Sequence, residues 1–216
     1  MIPVMVVPII NRYDYLDTMI KSINYPVKDL IIIDNGASSN DWTPTQSQWV
    51  SKIWHLKFPY NLGVPASWNL GIKSSPMSDY WLICNSDVEW SGDSLKNFVE
   101  QSDPSKIVLS NAPAAWCAFT IGWKVVDEVG LFDENFYPIY FEDNDYEARA
   151  RVKNIEVISS SIPVAHENSV AIKNGFADQN MSTFDSNSEY WQHKKNNYIN
   201  TETPWSIRRI RQNYWH

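Results

Sequence analysis

Apolar runs alternate with amphipathic stretches along the first hundred residues. Val4 to Ile10 is an almost unbroken apolar run, the pattern of a strand covered on both faces, as in a parallel sheet. Leu16, Met19, Ile20 and Ile23 then recur at i, i+3, i+4 and i+7, the period of one helix face. Asn11 is placed to cap that helix, with Asp14 three residues on as in a capping box. Leu30 to Ile33 predicts a second strand and Ile53 to Leu56 a third. Pro65 sits where a helix can begin, ahead of Ala66, Leu70 and Ile72. Tyr80 to Cys84 predicts another strand, and Ser91 to Glu100 a helix with Leu95, Phe98 and Val99 inward. This alternation with short links predicts an α/β, Rossmann-like architecture, a mostly parallel central sheet flanked by helices.

The second half is less regular. "IVLSNAPAAWCAFTIGW" holds one or two strands, and Val125, Val126 and Val129 mark a short helix stopped by Gly130. "YFEDNDYEARARVKN" predicts a helix opening on Glu142, Asp143, Asp145 and Glu147, and carboxylates in a first turn suit the helix dipole. Val157 to Ser160 reads as a strand, and "IPVAHENS" carries His166. After about Asn174 the periodicity weakens, so residues 174–216 read as an extension packing on the core.

Polar residues gather where strands end. Asp34-Asn35, Asn61 and Asn85-Ser86-Asp87 all fall at or just beyond a predicted strand terminus, where open α/β sheets bind ligands. In "YWLICNSDVEW" an apolar strand gives way to an amide, a hydroxyl and two acids. Turn formation explains such residues taken alone. Acids crowded together repel, however, so a site that gathers them is expected to hold something positive.

The chain has 216 residues and is 44% hydrophobic, which suits one large domain, or one domain with an extension. No stretch approaches the ~18–20 apolar residues of a membrane helix. The opening "MIPVMVVPIINRYDYL" has no basic lead and reads as a strand rather than a signal peptide. Cys84 and Cys117 each stand beside apolar residues; two buried thiols favour a reducing, cytoplasmic setting, although the sequon Asn180-Met181-Ser182 points the other way. Net charge is −7, unevenly spread: from Tyr190 onward Lys194, Lys195, Arg208, Arg209 and Arg211 face only Glu202. An acidic body disfavours general nucleic-acid binding, while the basic tail, with Tyr214 and Trp215, suits an anionic acceptor, a membrane surface or a partner.

Taken in order, "VPIINRYDYLDTMIKSI", "LIIIDNGASSND", "YNLGVPASWNLGI", "WLICNSDVEW", "VGLFDENFYPIYFEDNDYEARAR" and "VAHENS" resemble the family-2 glycosyltransferases of GT-A fold over roughly residues 3–170. The resemblance implies a domain over 1–173, with a nucleotide-binding half to about 103 and an acceptor-binding half over 104–173. It implies an inverting transfer from a nucleoside-diphosphate sugar, UDP foremost, to an acceptor hydroxyl, assisted by Mn²⁺ or Mg²⁺. Asp87 and His166 would hold the metal; Asn85 stands where the family usually has an acid. Pro8, Asn11, Asp34, Asn61, Asn85 and Ser86 match donor-contacting positions, and Asp34 can accept from a uracil-like N3–H or a ribose hydroxyl. Asp143 would be the general base and Glu142 an acceptor contact, with Asp145 the rival base. The expected acceptor is a glycan or glycoprotein. Small transferases of this kind also occur in large viruses and phages, which would place the protein in the host cytoplasm and admit hydroxymethylated DNA bases as acceptors. Two other readings compete. A nucleotidyltransferase should carry a glycine-rich basic loop after the first strand, and "PIINRYDYL" has no glycine. A non-catalytic nucleotide-sugar-binding module is kept open by Asn85.

Overall fold

The computed structural model describes residues 1–36, 41–111, 115–167, 177–197 and 205–213. Seven strands form the central sheet: β1 (Ile2–Ile9), β2 (Val27–Asp34), β3 (Val50–Lys57), β4 (Tyr80–Cys84), β6 (Lys106–Leu109), β7 (Ala118–Gly122) and β8 (Glu156–Ser159), in spatial order β3-β2-β1-β4-β7-β6-β8. Only β7 runs against its neighbours β4 and β6; the other pairings are parallel. The central strands β1 and β2 are apolar and buried on both faces because helices cover both. One face packs under α1 (Tyr13–Ser22) and α3 (Ser94–Val99), with Leu16, Met19, Ile20, Leu95 and Phe98 inward. The other packs under α2 (Val64–Ser74), α4 (Trp123–Val129) and α5 (Glu142–Val152). A two-stranded ribbon pairs β5 (Val88–Glu89) with β9 (Ala165–His166). α6 (Ala177–Ser182), α7 (Phe184–Asn197) and α8 (Ile207–Asn213) complete the described chain.

The apolar periodicities materialise as elements, and "IVLSNAPAAWCAFTIGW" forms two strands, β6 and β7. Gly130 ends α4 with φ 91° and its N–H bonded to the Val126 carbonyl. One local expectation fails. α1 begins at Tyr13 behind Arg12 in a left-handed conformation with no side-chain cap, so Asn11 is not its capping residue. Asp14 binds the Arg12 guanidinium instead, at 2.9 and 2.6 Å. The loop residues 37–40 and the tail residues Tyr214 and Trp215 lie outside the described residues, as does the side chain of Asn180.

The topology sets which ends meet. β1, β2, β3, β4, β6 and β8 share one direction, so their carboxyl ends form one edge. α5 leads directly into β8 and packs along it. Its last turn therefore lies at the amino edge and its first turn, carrying Glu142 and Asp143, at the carboxyl edge with Asp34 and Asp87.

Candidate functional site

At the end of β2, Asp34 is fully buried. Its carboxylate accepts from the Tyr13 hydroxyl at 2.7 Å, the Gly36 N–H at 3.1 Å and His55 Nε2 at 2.8 Å. Trp42 stands beside both partners, 5.0 Å from the Tyr13 ring and 5.3 Å from His55. A carboxylate with no exposed surface and three donors does not present a free acceptor to a base; Asp34 orients an aromatic group of Tyr13, His55 and Trp42. His55 is reached only because register places it opposite Ile32 on the α1 face, a relation no local motif signals. Asn35, buried, receives the Leu62 N–H at 3.0 Å and donates to Ser67 at 3.0 Å. Asn61 accepts from Gly63 N–H at 2.8 Å, turning the chain into α2. Pro8 is paired with Ile33 near the end of β1, and Asn11 follows that strand, half-buried.

Beyond β4, the β5–β9 ribbon carries His166 to Asp87. Val88 pairs with His166, so the imidazole Nε2 comes to 3.1 Å from Asp87 Oδ1 and 3.3 Å from the Asn85 amide. Both ionisable side chains are nearly buried, at 4% and 10% exposure, and Ser86 sits half-buried between Asn85 and Asp87. Burial by itself would lower the imidazole pKa, but hydrogen bonds to Asp87 and Cys117, with their charges, push it up to about 10. Once the imidazole gives up its proton, as metal binding requires, the donor chemistry fits a divalent cation. Mn²⁺ and Mg²⁺ take hard oxygens, and Mn²⁺ also takes imidazole. No group of three or more His, Cys, Asp and Glu able to hold a metal occurs among the described residues, so donor phosphates or water would have to complete such a site.

The third part opens α5. Tyr140 and Phe141 adopt φ 84° and 74°, and each left-handed non-glycine residue costs on the order of 1–3 kcal/mol. This turn delivers Glu142, 4% exposed, whose Oε2 has no hydrogen-bond partner among the described residues. Burial, reinforced by the charge of Asp143, pushes its pKa up to about 8. Asp143 is half-buried; burial raises its pKa too, opposed by the Asn144 N–H at 2.8 Å. Asp145 points elsewhere. Fully buried, it pairs with Arg149 at 2.8 Å and with Lys194 at 2.6 Å. Arg149 also donates to the Val129 and Leu131 carbonyls. This commitment to an ion cluster separates Asp145 from Asp143, the distinction that sequence leaves open.

The basic tail is largely spent inside the molecule. Lys194 is fully buried against Asp133 and Asp145. Arg208 pairs with Asp127, and Arg211 donates to the carbonyls of Pro76 and Ser78. A cavity of about 320 Å³ lined by Asp29, Ile31, Trp54, Leu56, Ser74 and Ser75 lies on the α2 face and includes none of the residues above.

A parallel sheet interrupted by one antiparallel strand, its polar side chains gathered at the carboxyl edge, gives the protein a GT-A fold, and solved glycosyltransferase structures superpose on it. Glucosyl-3-phosphoglycerate synthase from Mycobacterium tuberculosis, in complex with Mn²⁺, UDP and glucosyl-3-phosphoglycerate, aligns with a TM-score of 0.57 at 12% identity, over 86% of this chain and 79% of that one. S. aureus TarS 1-349 in complex with UDP-GlcNAc aligns at 0.54 and 14% identity, over 78% and 59%. A Drosophila β1,4-galactosyltransferase 7 mutant in complex with manganese, UDP-Gal and xylobiose aligns at 0.56 and 10% identity, over 79% and 72%. The chain spans 60% of the length of the TarS 1-349 structure and 37% of that of TarS. The profile of Glycosyl transferase family 2 matches residues 4–155, and the chain belongs to that family. No curated protein sequence matches it.

Proposed function

We propose that the protein transfers a sugar from a nucleoside-diphosphate donor, most simply UDP-linked, to an acceptor hydroxyl with inversion at the anomeric carbon. One observation carries this reading: the Asp87–His166 pair and the acids opening α5 occupy the same edge of the sheet. Asp87 and His166, with the Asn85 amide beside them, would hold Mn²⁺ or Mg²⁺ against the donor diphosphate. A divalent cation there offsets the charge that grows on the leaving phosphate. Asp143 accepts the acceptor's proton as its oxygen bonds to C1 and the C1–phosphate bond breaks on the opposite face, so the configuration inverts. Glu142, still protonated at neutral pH, offers a hydrogen bond to the acceptor rather than a second negative charge. The nucleoside would rest against the aromatic group around Asp34. UDP in three of the neighbouring structures supports the donor class.

A glycan or glycoprotein acceptor is preferred over hydroxymethylated DNA, because Lys194, Arg208 and Arg211 are paired within the protein. No helix among the described residues is long and apolar enough to cross a membrane.

The test is a thermal-shift panel of UDP, dTDP and GDP with and without Mn²⁺, followed by turnover of labelled UDP-sugars. UDP should raise the melting temperature in a Mn²⁺-dependent way, and Asp87→Ala should remove the metal-dependent part. Asp143→Asn should keep the shift and lower kcat by ~10²–10⁴. Near-normal turnover in Asp143→Asn would move the base elsewhere. Binding without turnover in the wild type would leave a nucleotide-sugar-binding module.

A further inference from the structure

Phe184, Asn187, Tyr190 and Lys194 recur at helical spacing along one face of α7, and all four reach the segment that ends in Glu142 and Asp143. The Phe184 ring lies 5.3 Å from both Tyr140 and Phe141, the two left-handed residues. Asn187 Nδ2 donates to the carbonyls of Tyr137 at 3.2 Å and Ile139 at 3.0 Å. The Tyr190 hydroxyl donates to Asp133 at 2.8 Å. Lys194 Nζ, fully buried, stands 2.6 Å from Asp133 Oδ2 and 2.6 Å from Asp145 Oδ1. The ammonium thus ties the loop before the turn to the first turn of α5. It also balances the charge, two carboxylates against Lys194 and Arg149. α7 lies beyond residue 155, where the family match ends.

We propose that Lys194 is a positioning residue for the transfer reaction, fixing the left-handed turn and the first turn of α5 so that Asp143 and Glu142 face the acceptor. The proposal rests on the function proposed above. Two physical points favour a geometric role over simple packing. A left-handed pair of bulky residues persists only where its surroundings over-determine it, and α7 supplies the hydrogen bonds and the ring that do so. A buried ammonium shared by two carboxylates also joins two chain segments that have no hydrogen bond to each other through those side chains.

The experiment compares Lys194→Met and Lys194→Arg with the wild type in steady-state turnover of the UDP-sugar the wild type uses, and in amide hydrogen exchange. Lys194→Met should lower kcat by about ten- to a hundredfold, keep the donor KM within about twofold, and speed exchange over residues 140–146 while β1 and β2 stay protected. Lys194→Arg should recover most of kcat. If Lys194→Met does not fold, the charge-balanced pair Lys194→Met with Asp133→Asn takes its place with the same expected readouts. Unchanged kcat, unchanged exchange over 140–146, or donor KM rising in parallel with the loss of kcat would each overturn the proposal. A wild type that turns over no UDP-sugar would overturn the proposed function and this proposal together; failure of the Lys194 variants alone would leave that function standing.

Discussion

Glu142 is a carboxyl in a dry place beside an acid more exposed than itself, and the sign of its contribution to stability follows. Its pKa in the folded chain is raised from the ordinary 4.5 to about 8. Between those values the folded state holds a proton that the unfolded chain has released. Its stabilising contribution is therefore fully present below 4.5 and lost as pH rises through about 8. Glu142→Gln cannot ionise, so its melting temperature relative to wild type should climb through that window and level off above it, by on the order of 10 °C. Paired melts from pH 5 to 9 check this, and a difference flat across the range would mean that Glu142 is not buried as described. Asp143 is raised in the same direction, so the acid limb of turnover should lie above the usual carboxylate range. Residues at this scale were unequally legible. Asp87 and Glu142-Asp143 stand in short motifs whose neighbours announce them. His55 and Lys194 have no such motif: one acts through strand register and the other through a partner 61 residues away.

Elements carry the geometry that residues use, and the approach of α2 to β1 is a tight case. A Cβ built on Gly71 would strike both γ carbons of Val6. Val6 is β-branched and fully buried, so it has no free rotamer into which to retreat. Gly71→Ala should cost about 1–3 kcal/mol by overpacking, read as a lower denaturant midpoint with an unchanged slope. A neutral effect would show that α2 can lift from the sheet, which would also loosen the Asn61–Gly63 turn at its start. The strands of the central sheet and α1, α2 and α4 were legible because an apolar face must repeat at the period of its element. The start of α1 was not, because Arg12 replaces a side-chain cap with a left-handed residue. α7 was not either, because the face it buries is Asn187, Tyr190 and Lys194, polar side chains satisfied by partners distant in sequence. Hydrophobic periodicity cannot see a helix that is held by hydrogen bonds and ion pairs.

Charge read along the whole chain separates an acidic body from a basic tail, but folding interleaves them. Arg211 shows how. Its Nη1 donates to the Pro76 carbonyl at 3.0 Å and the Ser78 carbonyl at 2.9 Å, and its guanidinium lies 4.3 Å from the centroid of the Trp123 ring. Those groups belong to the α2–β4 link and to α4, so one side chain of α8 joins two parts of the body. Charge-assisted hydrogen bonds to carbonyls are among the stronger ones, and the stacked ring adds a cation–π attraction. Arg211→Ala should therefore destabilise the fold by about 1–3 kcal/mol while leaving the UDP–Mn²⁺ thermal shift intact. Arg209, exposed on the same helix, is the control, and Arg209→Ala should change neither. If the tail served a polyanion instead, the two variants would weaken DNA binding alike and flatten its salt dependence by roughly 0.9 in slope for each phosphate no longer neutralised. Equal stability of the two variants together with that salt signature would return the tail to the acceptor and reopen the DNA reading.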